Sequence, residues 1–285
     1  MKIRIFCDYD TDEGIKEVYI NFNNILEDER YNKEYVFTTE EDYTHALILN
    51  TVMPKLNIKK ENVIGYAQEP LPYLNLSYEF VEYAKENINA YLIGDATGLP
   101  KPFIEHHGYM GHLPYPRTIR EKKTKFCSII FSKKYYLYGH KYRHMLVSAI
   151  LKTNLPIDIY GRGTSLYNTM SDIRIKGEFK EAEPYEDYRY HIAIENIQHP
   201  DYMSEKIINP LLYETNVIYW GAKNINKILK KQPIHILKGE LEHDMNMIKV
   251  IYKMEEKLYK KPDMTELEEL KIQKSFKFFG NRREE

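Results

Sequence analysis

The sequence predicts an α/β protein of two domains, and three observations carry that reading. The chain has 285 residues, enough for two domains of ordinary size. Short apolar runs recur along it, separated by longer polar or helix-like connections, as parallel strands joined by crossovers require. A proline-rich polar passage, Leu113–Lys125, breaks the alternation before it resumes.

The first half offers four strands: Ile3–Cys7, Ala46–Asn50, Asn62–Tyr66 and Ala90–Ile93. Thr51–Glu61 separates the second from the third, and Gln68–Asn89, helix-like in its latter part, separates the third from the fourth, so the connections are long enough for βαβ units. The second half reads as strand Phe126–Phe131, helix Lys141–Thr153, strand Ile157–Tyr160 ending in Gly161-Arg162-Gly163, strand Tyr190–Glu195, helix Ser204–Glu214 and strand Asn216–Trp220. A strand over Ile234–Leu237 then leads to a helix over Leu241–Leu258, where Met245, Ile248, Ile251 and Tyr252 have amphipathic spacing. The division is therefore 1–118 for one α/β domain, 119–262 for a second, and 263–285 for a charged helix or tail fraying at its end. In such a pair of domains facing a central cleft, ligands bind beyond the carboxyl ends of the strands, so function is sought in strand-to-helix loops.

Composition excludes several classes. Forty-one basic residues against 42 acidic ones leave a net charge of −1, with no global field for nucleic acid or anionic lipid. An anionic ligand must be met locally. The two cysteines, Cys7 and Cys127, lie in apolar strand-like stretches and are expected as buried free thiols. No run approaches the ~20 apolar residues of a membrane span, and the chain opens on MKIRIF without a charged leader and apolar h-region, so a cytoplasmic protein without a transmembrane segment is expected.

The segment Tyr190–Gly221 concentrates the chemistry. A strand ends at Glu195-Asn196, a polar loop follows, and Ser204 is placed to cap a helix whose first turn holds Glu205 and Lys206. First-turn amides together with the Lys206 ammonium suit a phosphate or diphosphate, and Glu205 suits sugar hydroxyls. On spacing alone, a capped surface helix beginning Ser-Glu-Lys satisfies the same residues.

Taken together, Ile194-Glu195-Asn196, Asp201-Tyr202-Met203-Ser204-Glu205-Lys206 and Ile218-Tyr219-Trp220-Gly221 resemble, in order, the hallmark of glycosyltransferase family 10, the α1,3/4-fucosyltransferases, in its soluble bacterial or large-virus form. There a strand ending Phe-Glu-Asn precedes Asp-Tyr-(x)-Thr-Glu-Lys and a Val-Tyr-Trp-Gly-like strand. Ile157–Gly163 is similar to the family's strand and glycine turn, and Phe126–Arg143 to its strand and arginine-bearing helix; the first half is similar only loosely.

The resemblance implies a GT-B fold of two Rossmann-type domains and an inverting transferase that moves fucose from GDP-fucose to a hydroxyl of a glycan, glycolipid or glycoprotein. It implies that Arg143 and Lys206 bind the donor diphosphate and neutralise the charge growing on the leaving nucleotide. Glu205 would hold ribose hydroxyls, and Glu195, Asn196 and Tyr202 would line the donor pocket. The general base would be Glu69, which follows the apolar strand in Gly65-Tyr66-Ala67-Gln68-Glu69-Pro70, although the family usually has Gly directly before this Glu. As residues alone, Arg143 in KYRHM also suits a solvated helix position and Glu69 a loop carboxylate. A transferase with another nucleotide-sugar, a non-catalytic nucleotide- or glycan-binding module on the same fold, and an interaction protein assembled through the charged C-terminal helix stand as alternatives.

No cofactor and no essential metal are expected. Asp8-Tyr9-Asp10 resembles the Asp-x-Asp metal site of the other large glycosyltransferase fold, but it sits in DYDTDEG, which reads as a turn. His106, His107 and His112 lack the i, i+4 spacing of a helix-borne zinc pair and are expected to face the acceptor. Gly161-Arg162-Gly163 falls short of a dinucleotide fingerprint, and no Walker loop is present.

Overall fold

The computed structural model describes residues 1–8, 14, 35–107, 119–167, 169–180, 182–270 and 272–280. Tyr9 and Asp10 of the acidic turn, His112, and the 113–118 part of the proline-rich passage lie outside the described residues. The chain divides into two compact units, Met1–Pro116 with Glu268–Glu285, and Arg117–Leu267.

Unit 1 is a six-stranded parallel sheet in the order β2-β1-β3-β4-β5-β6. Its strands are β1 (Lys2–Phe6), β2 (Val36–Phe37), β3 (His45–Leu49), β4 (Val63–Tyr66), β5 (Ala90–Ile93) and β6 (Phe103–Glu105). The continuous apolar character of β3, β4 and β5 has a direct cause: both faces of these central strands are covered. Helix α1 (Tyr78–Asn87) begins at Ser77, whose hydroxyl accepts the Phe80 amide at 3.2 Å, and it buries Phe80 and Ala84. The Phe80 ring meets Tyr91 edge-on at 5.3 Å. Between β3 and β4 only a 3-10 turn, Lys60–Asn62, intervenes; Val52, Leu56 and Ile58 of that connection pack on the sheet in place of a crossover helix.

Unit 2 repeats the plan with the strand order β12-β11-β10-β7-β8-β9, again parallel throughout. In chain order it comprises β7 (Lys125–Ile130), α2 (Tyr138–Leu151), β8 (Ile157–Tyr160), β9 (Ile175–Gly177), β10 (Tyr188–Ile194), α3 (Glu205–Leu212), β11 (Asn216–Trp220), α4 (Ile225–Ile228), β12 (Ile234–Ile236), α5 (Leu241–Lys253) and α6 (Glu255–Leu258). The helix expected over Leu241–Leu258 is thus two, parted at Met254. From β7 the chain winds outward through β8 and β9, then returns to the other side of β7 as β10. Strand order reverses at the β7/β10 pair, and in sheets of this kind ligands bind outside the carboxyl ends at that reversal.

The core beneath this point includes Cys127, Ile129, Leu146, Val147, Ile150, Ile192 and Ile218. It also contains a polar contact between the two central strands: His191 Nδ1 lies 2.8 Å from Ser128 Oγ, and the Ser128 hydroxyl donates to the Pro184 carbonyl. Because that proton is spent on Pro184, His191 carries its own on Nδ1.

The charged composition of 263–285 conceals core residues. Helix α7 (Met264–Glu269) buries Leu267; Phe276 of the 3-10 turn Ile272–Phe278 that follows, and Phe279 just after it, enter the core of unit 1 beside Tyr35 and Phe37. Asn89 Nδ2 donates to the Phe278 carbonyl at 2.7 Å and the Gly280 amide to the Glu61 carbonyl at 2.7 Å. From Glu268 onward the segment is part of unit 1, not a separate solvated tail.

Candidate functional site

Two neighbouring strand ends and the helices that follow them build the site in unit 2. After β7 comes α2, whose buried positions include, beside His140, Gly139, Tyr142, Arg143, Leu146, Val147 and Ile150 at helical spacing, which sets Arg143 on the sheet-facing side. The start of α2 lies against the end of β10: the Gly139 amide donates to the Asn196 carbonyl at 3.0 Å, and a Cβ at Gly139 would stand 1.9 Å from the Glu195 carbonyl oxygen. Only glycine fits there. The approach brings Arg143 to Asn196, and its Nη2 donates to the Asn196 Oδ1. Arg143 is 7% exposed and its Nε has no hydrogen-bond partner. Burial works against its charge, while Glu195, Glu205 and Tyr202 support it.

The second cation comes from α3. Ser204 caps this helix by accepting the Lys206 amide at 3.3 Å. Glu195 grips Ser204 twice, its Oε1 accepting the amide at 3.0 Å and its Oε2 the hydroxyl at 2.7 Å. The Lys206 ammonium donates to Ser204 Oγ at 3.1 Å and to Glu205 Oε1 at 2.8 Å, and lies 3.7 Å from Glu195 Oε2. Two carboxylates outweigh the desolvation of Lys206 and the repulsion from Arg143, so its pKa is raised and it stays an ammonium. For Glu195, burial pushes the carboxyl up, against the opposing pull of Lys206 and the two Ser204 donors.

Glu195, which the family resemblance sets in the donor pocket, is fully buried, and both its oxygens are engaged by Ser204. It thereby positions Ser204 and Lys206. Gly221 makes room for it, since a Cβ there would stand 2.6 Å from Glu195 Cγ and 2.1 Å from the Tyr219 hydroxyl.

The remaining candidates take various places. Asn196 is half-buried and joins Arg143. Tyr202 is 8% exposed and close enough to Arg143 to act on its charge. The loop that carries it is pinned by a reciprocal pair, the Asp201 amide donating to Asn224 Oδ1 at 3.0 Å and Asn224 Nδ2 to Asp201 Oδ1 at 2.6 Å. The Glu205 side chain remains 41% exposed. In unit 1, Glu69 is exposed just beyond β4, where its amide and that of Gln68 donate to Asn50 Oδ1 at 3.3 and 3.0 Å. Asn50 adopts φ 52° at the end of β3, and its carbonyl accepts the Tyr91 hydroxyl at 2.6 Å.

His140 escaped the sequence reading. It is 3% exposed, and its Nδ1 accepts the Leu137 amide at 3.3 Å at the start of α2. Its position three residues before Arg143 was the available signal. His106 contacts Ser275 through Nε2 at 3.1 Å, and burial brings its pKa down to about 4. Among the described residues, no group of three or more His, Cys, Asp or Glu is placed to hold a metal ion, and no helix is long and apolar enough to cross a membrane.

Two six-stranded parallel sheets of this kind, each with its helices, make an α/β protein of the GT-B fold class. Solved structures share the fold. An α1,3-fucosyltransferase with GDP aligns over 98% of this chain and 88% of its own, with a TM-score of 0.57 at 16% identity. Anabaena Alr3699/HepE in complex with UDP-glucose aligns over 98% and 97%, with a TM-score of 0.56 at 11% identity.

Sequence comparison narrows the class. Residues 120–260 match the family described as glycosyltransferase family 10 (fucosyltransferase) C-term. A putative fucosyltransferase of Acanthamoeba polyphaga mimivirus, R654, is 32% identical over 147 residues, which are 47% of this chain and only 23% of that relative. Over residues 120–260 the chain is therefore similar to glycosyltransferase family 10.

Proposed function

We propose that the chain is an inverting fucosyltransferase that takes fucose from GDP-fucose and places it on a hydroxyl of a glycan. The observation that carries this reading is the convergence of Arg143 and Lys206 at the carboxyl ends of adjacent central strands, with carboxylates arranged to keep both charged. In the transfer, the acceptor oxygen bonds to the anomeric carbon of fucose as the bond to GDP breaks, inverting that carbon. The electron pair leaves on the diphosphate, where Arg143 and Lys206 stabilise it. The hydroxyl proton goes to Glu69, held at the end of β4 by Asn50. Asn196 and Tyr202 line the donor pocket, and Glu205 takes ribose hydroxyls. The two cations supply the charge that a metal supplies in other transferases, so activity is expected to survive EDTA.

Calorimetric titration with GDP, UDP and their fucose, glucose and galactose conjugates, on wild type and Lys206→Ala, tests the reading. Selective GDP binding lost in the variant supports it. Selective UDP binding would retain a transferase with another donor, and no nucleotide binding by folded protein would favour a non-catalytic module.

A further inference from the structure

The outer face of α2 and the loop before it have no part in the reaction described above, and their exposed residues are of two kinds. Tyr135, Tyr136, Tyr138 and Met145 are each about half exposed or more. Lys133, Lys134, Lys141 and Lys152 stand exposed among them, and Lys141 Nζ lies 6.0 Å from the centre of the Tyr135 ring. Tyr138, Lys141, Met145 and Lys152 follow one another at helical spacing, so they share one side of α2. A cavity of about 370 Å³ opens beside them, lined in part by Tyr135, Met145, Lys152 and Leu241. At the C-terminal end of α2 stands Ile173, 85% exposed yet firmly held. The adjacent Arg174 donates to the carbonyls of Ile150, Leu151 and Leu155 at 3.2, 3.2 and 2.9 Å, and its ion pair with Asp172 neutralises the local acid.

We propose that this face of unit 2 docks on a lipid bilayer bearing anionic headgroups, its lysines meeting the headgroup charges while its tyrosines and Met145 enter the interfacial layer, with Ile173 at the edge of the contact. The charge of the face is one-sided. No Asp or Glu occurs between Glu121 and Asp158, and among the described residues none of the four lysines is paired with a carboxylate. Acids border the face at Glu240 and Glu242, on either side of Leu241. Against a net charge of −1 for the whole chain, the attraction is local and must be sensitive to salt. The residue types select the partner. Tyrosine and methionine also favour protein interfaces, but lysine is depleted there, whereas tyrosine and lysine serve together where a protein meets lipid headgroups. The proposal stands apart from the donor reading, since neither Arg143 nor Lys206 contributes to it.

The test is sedimentation of the full chain with vesicles of phosphatidylcholine alone and of an equimolar mixture with phosphatidylserine. Wild type is expected to bind the anionic vesicles, to ignore the neutral ones, and to be released at about 1 M NaCl, where the screening length falls to about 3 Å. The double change Lys133→Gln and Lys134→Gln should weaken partition about 20–30-fold, roughly fivefold for each ammonium lost near the surface. Tyr135→Ser with Met145→Ser should weaken it about tenfold while the response to salt persists, because the apolar share of the contact is what they remove. The lysine pair alters exposed side chains only, so its melting temperature should match wild type and a loss of binding cannot be a loss of fold. Absence of wild-type binding to the anionic vesicles at low salt, or equal binding by the lysine variant, would overturn the proposal. So would preference for polyglutamate or a single-stranded oligonucleotide over the vesicles, which would assign the face to an acidic macromolecule.

Discussion

Glu195 holds Ser204 by both its amide, at 3.0 Å, and its hydroxyl, at 2.7 Å, so a fully buried carboxylate at the end of β10 fixes the first turn of α3. That grip places the Lys206 ammonium 3.7 Å from the same carboxylate and 2.8 Å from Glu205. Glu195→Ala leaves two Ser204 donors without their acceptor and Lys206 with one carboxylate instead of two. Breaking a buried pair from one side costs about 3–5 kcal/mol, and the denaturant midpoint of the variant should fall accordingly. Glu195→Gln keeps one acceptor oxygen and should cost less, about 1–3 kcal/mol. Equal stability of Glu195→Ala and wild type would show that Ser204 is held by something else.

The same geometry shows what the sequence could convey. Apolar runs reveal β7, β10 and β11 because central parallel strands are covered on both faces, and the Glu-Asn and Ser-Glu-Lys pairs stand at their ends. Which end residue faces a ligand depends on a tertiary fact, the 0% exposure of Glu195, that no local pattern records. His140 was missed for a similar reason: a histidine in GHKYR becomes significant only once Gly139 brings α2 against Asn196. The short edge strands Val36–Phe37 and Ile175–Gly177 carry too few apolar residues to register. Phe276 and Phe279 lie hidden among lysines, because a 3-10 turn buries a few positions without a helical stripe.

Gly139 and Gly98 make a matched pair for testing close packing. A Cβ on Gly139 meets the Glu195 carbonyl oxygen at 1.9 Å, and its three nearest neighbours are all backbone atoms of Glu195 and Asn196, which cannot swing away as a side chain would. Gly139→Ala should cost at least about 3 kcal/mol and weaken nucleotide binding by pushing α2 from β10. At Gly98, with φ +75°, nothing lies within 4 Å, so Gly98→Ala should cost only about 1–2 kcal/mol, through its left-handed backbone. Urea titration of the two variants checks the ranking, and the reverse order would contradict the packing described for α2 and β10.

Acid should weaken unit 2 through its buried histidines. Burial lowers His140 to about 4 and His191 to about 3, from an ordinary 6.5. Between these values and 6.5 the unfolded chain binds protons that the folded chain does not, so stability falls as pH falls; above 6.5 neither form is protonated and the contribution is flat. Each ring contributes a slope of about 1.4 kcal/mol per pH unit within its window. Chemical denaturation from pH 7.5 to 4.5 should therefore show falling stability, and His140→Gln should flatten the slope by about one proton. A pH-independent midpoint across that range would contradict burial of neutral rings.

Glu69 provides the sharpest separation between binding and chemistry. Its backbone is held by Asn50, while its side chain is exposed beyond β4, so removing the carboxylate should leave the sheet and its hydrogen bonds in place. In the proposed reaction Glu69 acts only on the acceptor proton, and Arg143 and Lys206 meet the diphosphate. Glu69→Gln should therefore lower kcat about 10²–10⁴-fold while GDP affinity and melting temperature stay at wild-type values. Lys206→Ala should instead change both, weakening GDP binding and also costing about 10²–10³-fold in kcat, because the proposed role sets it against charge that grows as the bond to the leaving nucleotide breaks. Asn50→Ala, which frees the amides of Gln68 and Glu69 while leaving the carboxylate present, should fall between wild type and Glu69→Gln in kcat. Full activity in Glu69→Gln would move the base elsewhere and reduce Glu69 to a loop carboxylate, with the donor half of the mechanism unaffected.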